Sequence, residues 1–385
     1  MVRILATADW QMGMRGNLSR RGREHLAKAR VAAIERIIEV AEKEEVDVIL
    51  AAGDLFEFPH VSDDVSNSVA SALQKTKIEI HAIPGNRDLY GPGTVWKTPQ
   101  IQNIKLFNPH FVEEGGDRVT KTEIKDNVFL HSIPVTNKYD TNRQDEYLED
   151  VSDGTHIVMA HAHDLSHVDY FKDEHESDCK LPIKSEKVIK KGYSLIVLGH
   201  WHSWLEVGGS NRVVYPGTHE QTKFGDRDAG WVAIIEVPED GGEPEVRRER
   251  VGATKWATEE FDCTGKSLPE DLVEFVQGQK DAGVDYLRLV LTGEVGVDEM
   301  AEAIPNSKSG FIPMFEHFEM DLANLATTID VDAMMSNVDL PMGLREIQAQ
   351  IISEIESSKG DEWATSELME ELGALYSACR DAGIV

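Results

Sequence analysis

Two β-branched apolar runs, VRILATAD (residues 2–9) and VDVILAAGD (residues 46–54), each close on an aspartate. Between them, residues 23–45 carry a helical period, with Leu26, Val31, Ile34, Ile37, Ile38 and Ala41 on one face. A second helix is predicted over residues 62–74, and a third strand in IEIHAIPGNRD (residues 78–88). This is a β-α-β-α-β order with polar residues at the end of each strand. Right-handed crossovers then stack the strands in parallel and place a site along their C-terminal edge.

The pattern changes after residue 126. NVFLHSIPV, THIVMAHAHD, SLIVLGHWHS, NRVVYPGTH and GWVAIIEV are short strands, several of them ending in histidine. Two packed sheets with helices outside accommodate them, so the expected fold is α/β, a four-layer α-β-β-α sandwich over residues 1–252. Composition shifts after Gly252. DYLRLVLTGEV predicts one more strand in a small α+β capping domain over residues 253–338, and Asp339-Leu340-Pro341 marks a break. Two apolar helix stripes follow in a C-terminal segment, residues 339–385. One comprises Leu344, Ile347, Ile351, Ile352 and Ile355, the other Trp363, Leu368, Leu372, Leu375 and Cys379.

Composition narrows the function classes. The 385 residues hold 39 basic and 69 acidic side chains, a net charge of −30. Non-specific nucleic-acid binding by the whole surface is therefore not expected. The charge is uneven, −10 up to residue 257 and −20 beyond it. An acidic, lysine-poor surface also fits a salt-rich habitat. No apolar run reaches the roughly 18 residues of a membrane span, and the chain enters a strand directly from MVRILATADW, so no signal peptide is expected. Cys179, Cys263 and Cys379 lie far apart, which argues against a disulfide framework or a zinc–thiolate site and for a reducing, cytoplasmic setting.

Five segments place metal-ligand side chains at strand ends: Asp9 with Gln11, Gly53-Asp54, Gly85-Asn86-Arg87-Asp88, AHAH at residues 160–163, and GHWH at residues 199–202. A lone aspartate after a strand is usually a cap or turn residue, and a lone strand histidine is usually structural. Five such segments in order point instead to shared ligation. A carboxylate such as Asp54 can bridge two cations about 3.5–4 Å apart. Mixed oxygen and nitrogen donors suit Mn²⁺, Fe²⁺ or Zn²⁺ better than Ca²⁺.

The ordered set resembles the calcineurin-like metallophosphoesterases, whose pattern is D-x-H, G-D, G-N-H-[DE], a strand-borne H and G-H-x-H. GDLFE (residues 53–57) and VVYPGTHEQTKFGDRDAGWVAIIEV (residues 213–237) look like the DNA-repair nuclease branch, the SbcD and meiotic-recombination-eleven type. The resemblance covers residues 1 to about 250. It implies one metal held by Asp9, Gln11, Asp54 and His202 and another held by Asp54, Asn86, His161 and His200. His163 falls to a supporting position. Two divalent ions, Mn²⁺ foremost, are the expected cofactors. Two departures stand out. Gln11 replaces a histidine and offers only an amide oxygen. Arg87 occupies the position of the family's catalytic histidine and cannot act as a general acid, although it can clamp phosphate oxygens. Its ordinary alternative is an ion pair with Asp88 or another nearby acid. Asn86, Asp88 and Glu57 complete the candidate catalytic group, with His60 as a further proton source.

Arg15, Arg20, Arg21, Arg23, Lys28 and Arg30 lie within 16 residues and offer a local positive surface for DNA; the alternative is an ordinary solvated helix start. The resemblance implies dimerisation through N-terminal helices and C-terminal helices that grip an SMC-like ATPase. The leading expectation is a metal-dependent DNA exo- and endonuclease of a double-strand-break repair complex. Its rivals are a degenerate scaffold on the same fold and a small-molecule phosphodiesterase.

Overall fold

The computed structural model describes residues 1–112, 116–166, 180–226, 228–239, 241–296, 300, 303–328, 342–357, 368 and 371. The chain divides into two compact units, Met1–Trp256 and Ala257–Val385. In chain order, the strands of the first unit are β1 (Val2–Thr7), β2 (Val48–Ala51), β3 (Glu79–Ala82), β4 (Phe107–Pro109), β5 (Thr120–Lys125), β6 (Val128–Ile133), β7 (Thr155–His161), β8 (His163–Asp164), β9 (Pro182–Ile183), β10 (Leu195–Gly199), β11 (Leu205–Glu206), β12 (Val213–Tyr215), β13 (Trp231–Val237) and β14 (Glu245–Arg250). Its helices are α1 (Arg20–Lys43), α2 (Asp63–Leu73), α3 (Pro99–Gln102) and α4 (Ser185–Lys190).

The strands form two six-stranded sheets, ordered β14-β13-β1-β2-β3-β4 and β11-β12-β10-β7-β6-β5. Within them β1, β2, β3 and β4 run parallel, as do β6, β7, β10 and β12. Their C-terminal ends therefore come out along one edge of each sheet.

Side-chain alternation explains the layering. On β1, Val2, Ile4 and Ala6 point into a core shared with Leu130, Ile157, Met159, Leu195 and Val197 of the other sheet. Leu5, between them, points the opposite way, onto Ile34, Ile37 and Ile38 of α1 and Val69 and Leu73 of α2. The second sheet does the same outward, packing Val158, Ile196 and Leu198 against Val188 of α4. The unit is thus the four-layer α-β-β-α sandwich. Each fully buried Leu, Ile or Val contributes about 1.5–3 kcal/mol.

β5 (TKTEIK) and β14 (EVRRER) lack an apolar period and go unnoticed in the sequence. They are edge strands, where charged side chains block further pairing. The second unit contains a sheet ordered β15 (Trp256–Asp262), β16 (Tyr286–Gly296), β17 (His317–Thr328). Helices α5 (Glu270–Asp281) and α6 (Ile304–Phe311) belong to it as well, over a core that includes Leu272, Val276, Leu289 and Phe315. The first C-terminal stripe forms α7 (Met342–Ser357), with Ile352 buried and Ile347 exposed. The predicted break at residues 339–341 and the second stripe lie outside the described residues, apart from Leu368, which is helical. No helix among the described residues is long and apolar enough to cross a membrane.

Candidate metal centre

Beyond the last residues of β1 and β2 the two chain segments stay together by main-chain bonds. Asp9 N–H donates to Gly53 O (2.9 Å), Gln11 N–H to Asp54 O (2.8 Å) and Met12 N–H to Leu55 O (2.9 Å). To turn their side chains to the common edge, Asp9, Gln11 and Asp54 adopt φ values of +53°, +44° and +52°, and His200 after β10 adopts +99°. Left-handed backbone at non-glycine residues is unfavourable by about 1–3 kcal/mol each and persists where surrounding bonds over-determine it. Close approach is also built in. A Cβ on Gly85 would lie 2.1 Å from Asp54 Oδ1, and one on Gly199 would lie 2.0 Å from the Ala52 carbonyl oxygen.

The side chains converge from both sheets. Ligand atoms of Asp9, Asp54 and His161 all lie within 4.8 Å of one another, and all three residues are buried. His161 Nδ1–H donates to Ala52 O (3.0 Å), which fixes the ring. Its Nε2 is left facing Asn86 Oδ1 at 3.0 Å and Asp54 Oδ2 at 3.4 Å. His200 approaches the same Asn86 oxygen through Nδ1 (3.2 Å), and its backbone N–H donates to Asp9 Oδ2 (3.0 Å). His202 is joined to the group through Gln11, whose Nε2 lies 2.9 Å from His202 Nε2. The other amide atom, Gln11 Oε1, is buried with no hydrogen-bond partner.

The electrostatics call for a cation. Burial pushes the Asp9 carboxyl up to about 8, against the pull of His161 and with the added repulsion of Asp54. Burial and Asp54 push Asp88 up to about 7. Burial would raise Asp54 as well, but His161 and the Arg87 N–H hold it below the ordinary carboxylate range. Burial works against a charged His161, yet Asp54 and Asp9 carry it up to about 9. Burial, then His161, takes His200 down to about 3. Clustered buried carboxylates beside imidazoles, an orphan amide oxygen and glycines that admit no side chain together fit divalent metal ions.

The calcineurin-like phosphoesterase family matches residues 2–204, more than half of the chain. The chain belongs to that family. As a member it is a phosphoester hydrolase that uses divalent metals. It is also 25% identical over 187 residues to the SbcD component of the nuclease SbcCD from Escherichia coli strain K12, and equally to that of strain O157:H7. In both cases the alignment takes in 47% of this chain and 43% of the relative, so the chain spans less than half the length of these curated relatives. Among solved structures, the calcineurin-like phosphoesterase YfkN from Bacillus subtilis aligns with a TM-score of 0.38 at 14% identity, over 73% of this chain and 97% of that one. A 5'-nucleotidase precursor from Thermus thermophilus aligns with a TM-score of 0.30 at 13% identity, over 64% and 54%.

In this phosphoesterase the GNRD turn is tied into the centre. Arg87 N–H donates to Asp54 Oδ1 (2.8 Å), and its guanidinium, 45% exposed, donates through Nη1 to Glu57 Oε1 (2.7 Å). The partner of Arg87 is thus Glu57 rather than Asp88. Burial raises the Glu57 carboxyl in spite of Arg87. The Asp88 carboxylate accepts from Gly85 N (2.7 Å) and Phe56 N (3.1 Å), locking the GD and GNRD turns together. His163 sits on β8 with its ring 6.3 Å from that of His200, and His60 is exposed.

Arg15, Arg20, Arg21, Arg23 and Lys28 are exposed; Arg20 pairs with Glu24 (2.8 Å), and Arg23 donates to Leu18 O (2.9 Å). Arg30 does not belong to that surface. It is 2% exposed and points inward, donating from Nη1 to the carbonyls of Gln11 (2.8 Å) and Trp10 (3.1 Å). A count of basic residues misses this role under the metal loop, although the spacing of Arg30 from Leu26 and Ile34 puts it on the buried face of α1. The PGTHE turn after β12 is also structural to the site. Thr218 bridges Ala8 and donates to His202 O (2.9 Å), while buried Glu220 accepts from the N–H groups of Ala253 and Thr254.

Proposed function

We propose that this phosphoesterase is a DNA nuclease, the hydrolytic subunit of a double-strand-break repair complex. The observation that carries it is the convergence of Asp9, Asp54 and His161, in a chain similar to the SbcD component of the SbcCD nuclease. One ion would be held by Asp9, Gln11, Asp54 and His202, the other by Asp54, Asn86, His161 and His200, with Mn²⁺ suited to both. Bound ions of this kind polarise a phosphoryl oxygen and make water a stronger nucleophile. The Ala52 carbonyl orients the His161 imidazole. Arg87, held by Glu57, meets a non-bridging phosphate oxygen and stabilises the charge that develops there. Because Arg87 keeps its proton, the leaving 3′-oxygen takes one from water or from another acid. Asp88 positions the turn that carries Asn86 and Arg87.

Arg15, Arg20, Arg21 and Arg23 are assigned to backbone phosphates. α7 and the acidic segment after it are assigned to an SMC-like ATPase, α1 and α2 to a second copy of the chain, and the complex to the cytoplasm. A non-catalytic scaffold is favoured instead by one contact, the Gln11 amide nitrogen turned to His202 Nε2, where a metal ligand would face an ion. A Mn²⁺-supplemented assay on single- and double-stranded DNA separates these. Wild type is expected to cut, Asp54→Ala to lose at least about 10³-fold of that activity, and Arg87→His to keep it. Turnover by Asp54→Ala equal to wild type overturns the proposal. Hydrolysis of bis(p-nitrophenyl) phosphate without cutting of DNA assigns the centre to small phosphodiesters.

A further inference from the structure

The GHWH segment sets a tryptophan between two of the metal-centre histidines. Trp10 and Trp96 are buried in the core, but Trp201 is 37% exposed. It lines an open cleft of about 610 Å³ with His200, His202, Ser203, Lys223, Gly225 and Asp226. Lys223 is mostly solvent-exposed and stands 4.0 Å from Asp226 Oδ1, a long contact for an ion pair. The Asp226 carboxylate is engaged by its own loop, where Oδ2 accepts from the N–H groups of Thr222 (3.1 Å) and Lys223 (3.2 Å) and from the Thr222 hydroxyl. Phe224 fixes the loop from beneath, edge-on to Trp256 with ring centroids 5.0 Å apart. His200 and His202 line the same cleft as Lys223 and Asp226, so this loop stands directly beside the candidate metal centre.

We propose that this cleft is a nucleotide subsite in which Trp201 stacks on a base of a single DNA strand and Lys223 contacts the adjoining phosphate. The choice of ligand rests on the nuclease function proposed above. An indole face accepts any base without reading sequence, as a nuclease that follows a strand requires. The lysine adds a point charge without fixed geometry. In a chain of net charge −30, a cation beside an exposed aromatic ring at the centre is a local exception to the prevailing sign, and it selects for a polyanion that carries flat rings.

The test is fluorescence anisotropy and cleavage with the Mn²⁺-loaded full chain, using two labelled oligonucleotides that differ only in a single abasic position placed opposite the cleft by scanning. Wild type is expected to bind the intact strand more tightly by about 10- to 100-fold. Trp201→Ala should erase that preference and Trp201→Phe should retain several-fold of it, while Mn²⁺ uptake followed by electron paramagnetic resonance stays intact in both. Lys223→Ala should flatten the slope of log affinity against log salt by about 0.7. Equal binding of intact and abasic strands by wild type at every position overturns the subsite, even if both strands are cut. A base preference that depends on Trp201, in a protein that cuts neither strand, supports the subsite while removing the nuclease function.

Discussion

Replacing Arg30 with methionine tests whether the metal loop is held from below. The guanidinium is buried and its Nη1 serves two carbonyls, those of the consecutive residues Trp10 and Gln11 that follow Asp9. His219 donates back to the Arg30 carbonyl (3.0 Å) and packs on Trp10 with ring centroids 6.0 Å apart, so the arginine joins α1 to the loop in both directions. Methionine fills much of the stem volume but leaves both carbonyls unpaired, at about 1–3 kcal/mol each. Removing a buried charge recovers part of that, because its desolvation is also removed. The carbonyl loss should win, because neither carbonyl gains water, and the net destabilisation is about 2–4 kcal/mol. For a unit of this size that lowers Tm by roughly 5–12 °C. The functional consequence is larger. Asp9 and Gln11 lose their backing, and residues that support ligands in this way typically change metal affinity by about 10–100-fold. Thermal melts with and without Mn²⁺, and Mn²⁺ titration by calorimetry, read the two effects separately. Arg30→Lys keeps the charge on a shorter side chain with a different head, so it should fall between the two. Unchanged Mn²⁺ affinity in Arg30→Met would refute the coupling between α1 and the metal loop, whatever happens to Tm.

Gly85→Ala should abolish metal uptake, because its Cβ would collide with both Asp54 Oδ1 (2.1 Å) and the Asp54 nitrogen (2.5 Å). Gly278→Ala in α5, which meets nothing within 4 Å, should leave uptake alone and stabilise the chain by about 0.5–1 kcal/mol. Normal Mn²⁺ binding by Gly85→Ala would show that the turn has room the packing denies. Stability should also fall on acidification from pH 7 to 5. Burial and the neighbouring His156 take His131 down to about 4, and burial and His81 do the same to His110. Depressed histidines contribute stability that is complete above the unfolded value of about 6.5 and is lost as pH falls towards 4, on the order of 1–3 kcal/mol for each ring. His156 Nε2–H donates to Asp153 O (2.8 Å), so its Nδ1 accepts from His131 Nε2–H (2.9 Å). Tm measured across that pH range should flatten in the double variant His131→Phe/His156→Phe; an unchanged slope would refute the assignment.

Asp9, Asp54, His161 and His200 are legible because strands announce themselves by apolar runs, and parallel strands must release their ends on one edge. What the sequence conceals has physical causes. Arg30 reads as surface because arginine is rarely buried, although its helical spacing argues otherwise. β5 and β14 escape notice because edge strands exchange apolar period for charge. Asp88 looks like a catalytic acid, and its carboxylate bonds two backbone N–H groups across a turn, a partnership no pattern of residue types reveals. The PGTHE turn carries the resemblance to DNA-repair nucleases, but its contacts with Ala8 and His202 depend on a sheet crossing that only the fold supplies.

The pairing of Arg87 with Glu57 draws these points together. In the nuclease branch that the sequence resembles, the position of Arg87 is a histidine and that of Glu57 is often another. Here the two carry opposite charges and meet at 2.7 Å. Glu57 is buried, and Arg87 is its ion-pair partner. The pair is neutral, and the guanidinium remains 45% exposed. An arginine at position 87 cannot give up its proton, whereas burial raises the carboxyl of Glu57. The backbone at Asp9, Gln11, Asp54 and His200 is left-handed as well. The main-chain bonds of Asp9 and Gln11 to Gly53 and Asp54 hold that strain in place, beside the Arg87 N–H that donates to Asp54 Oδ1.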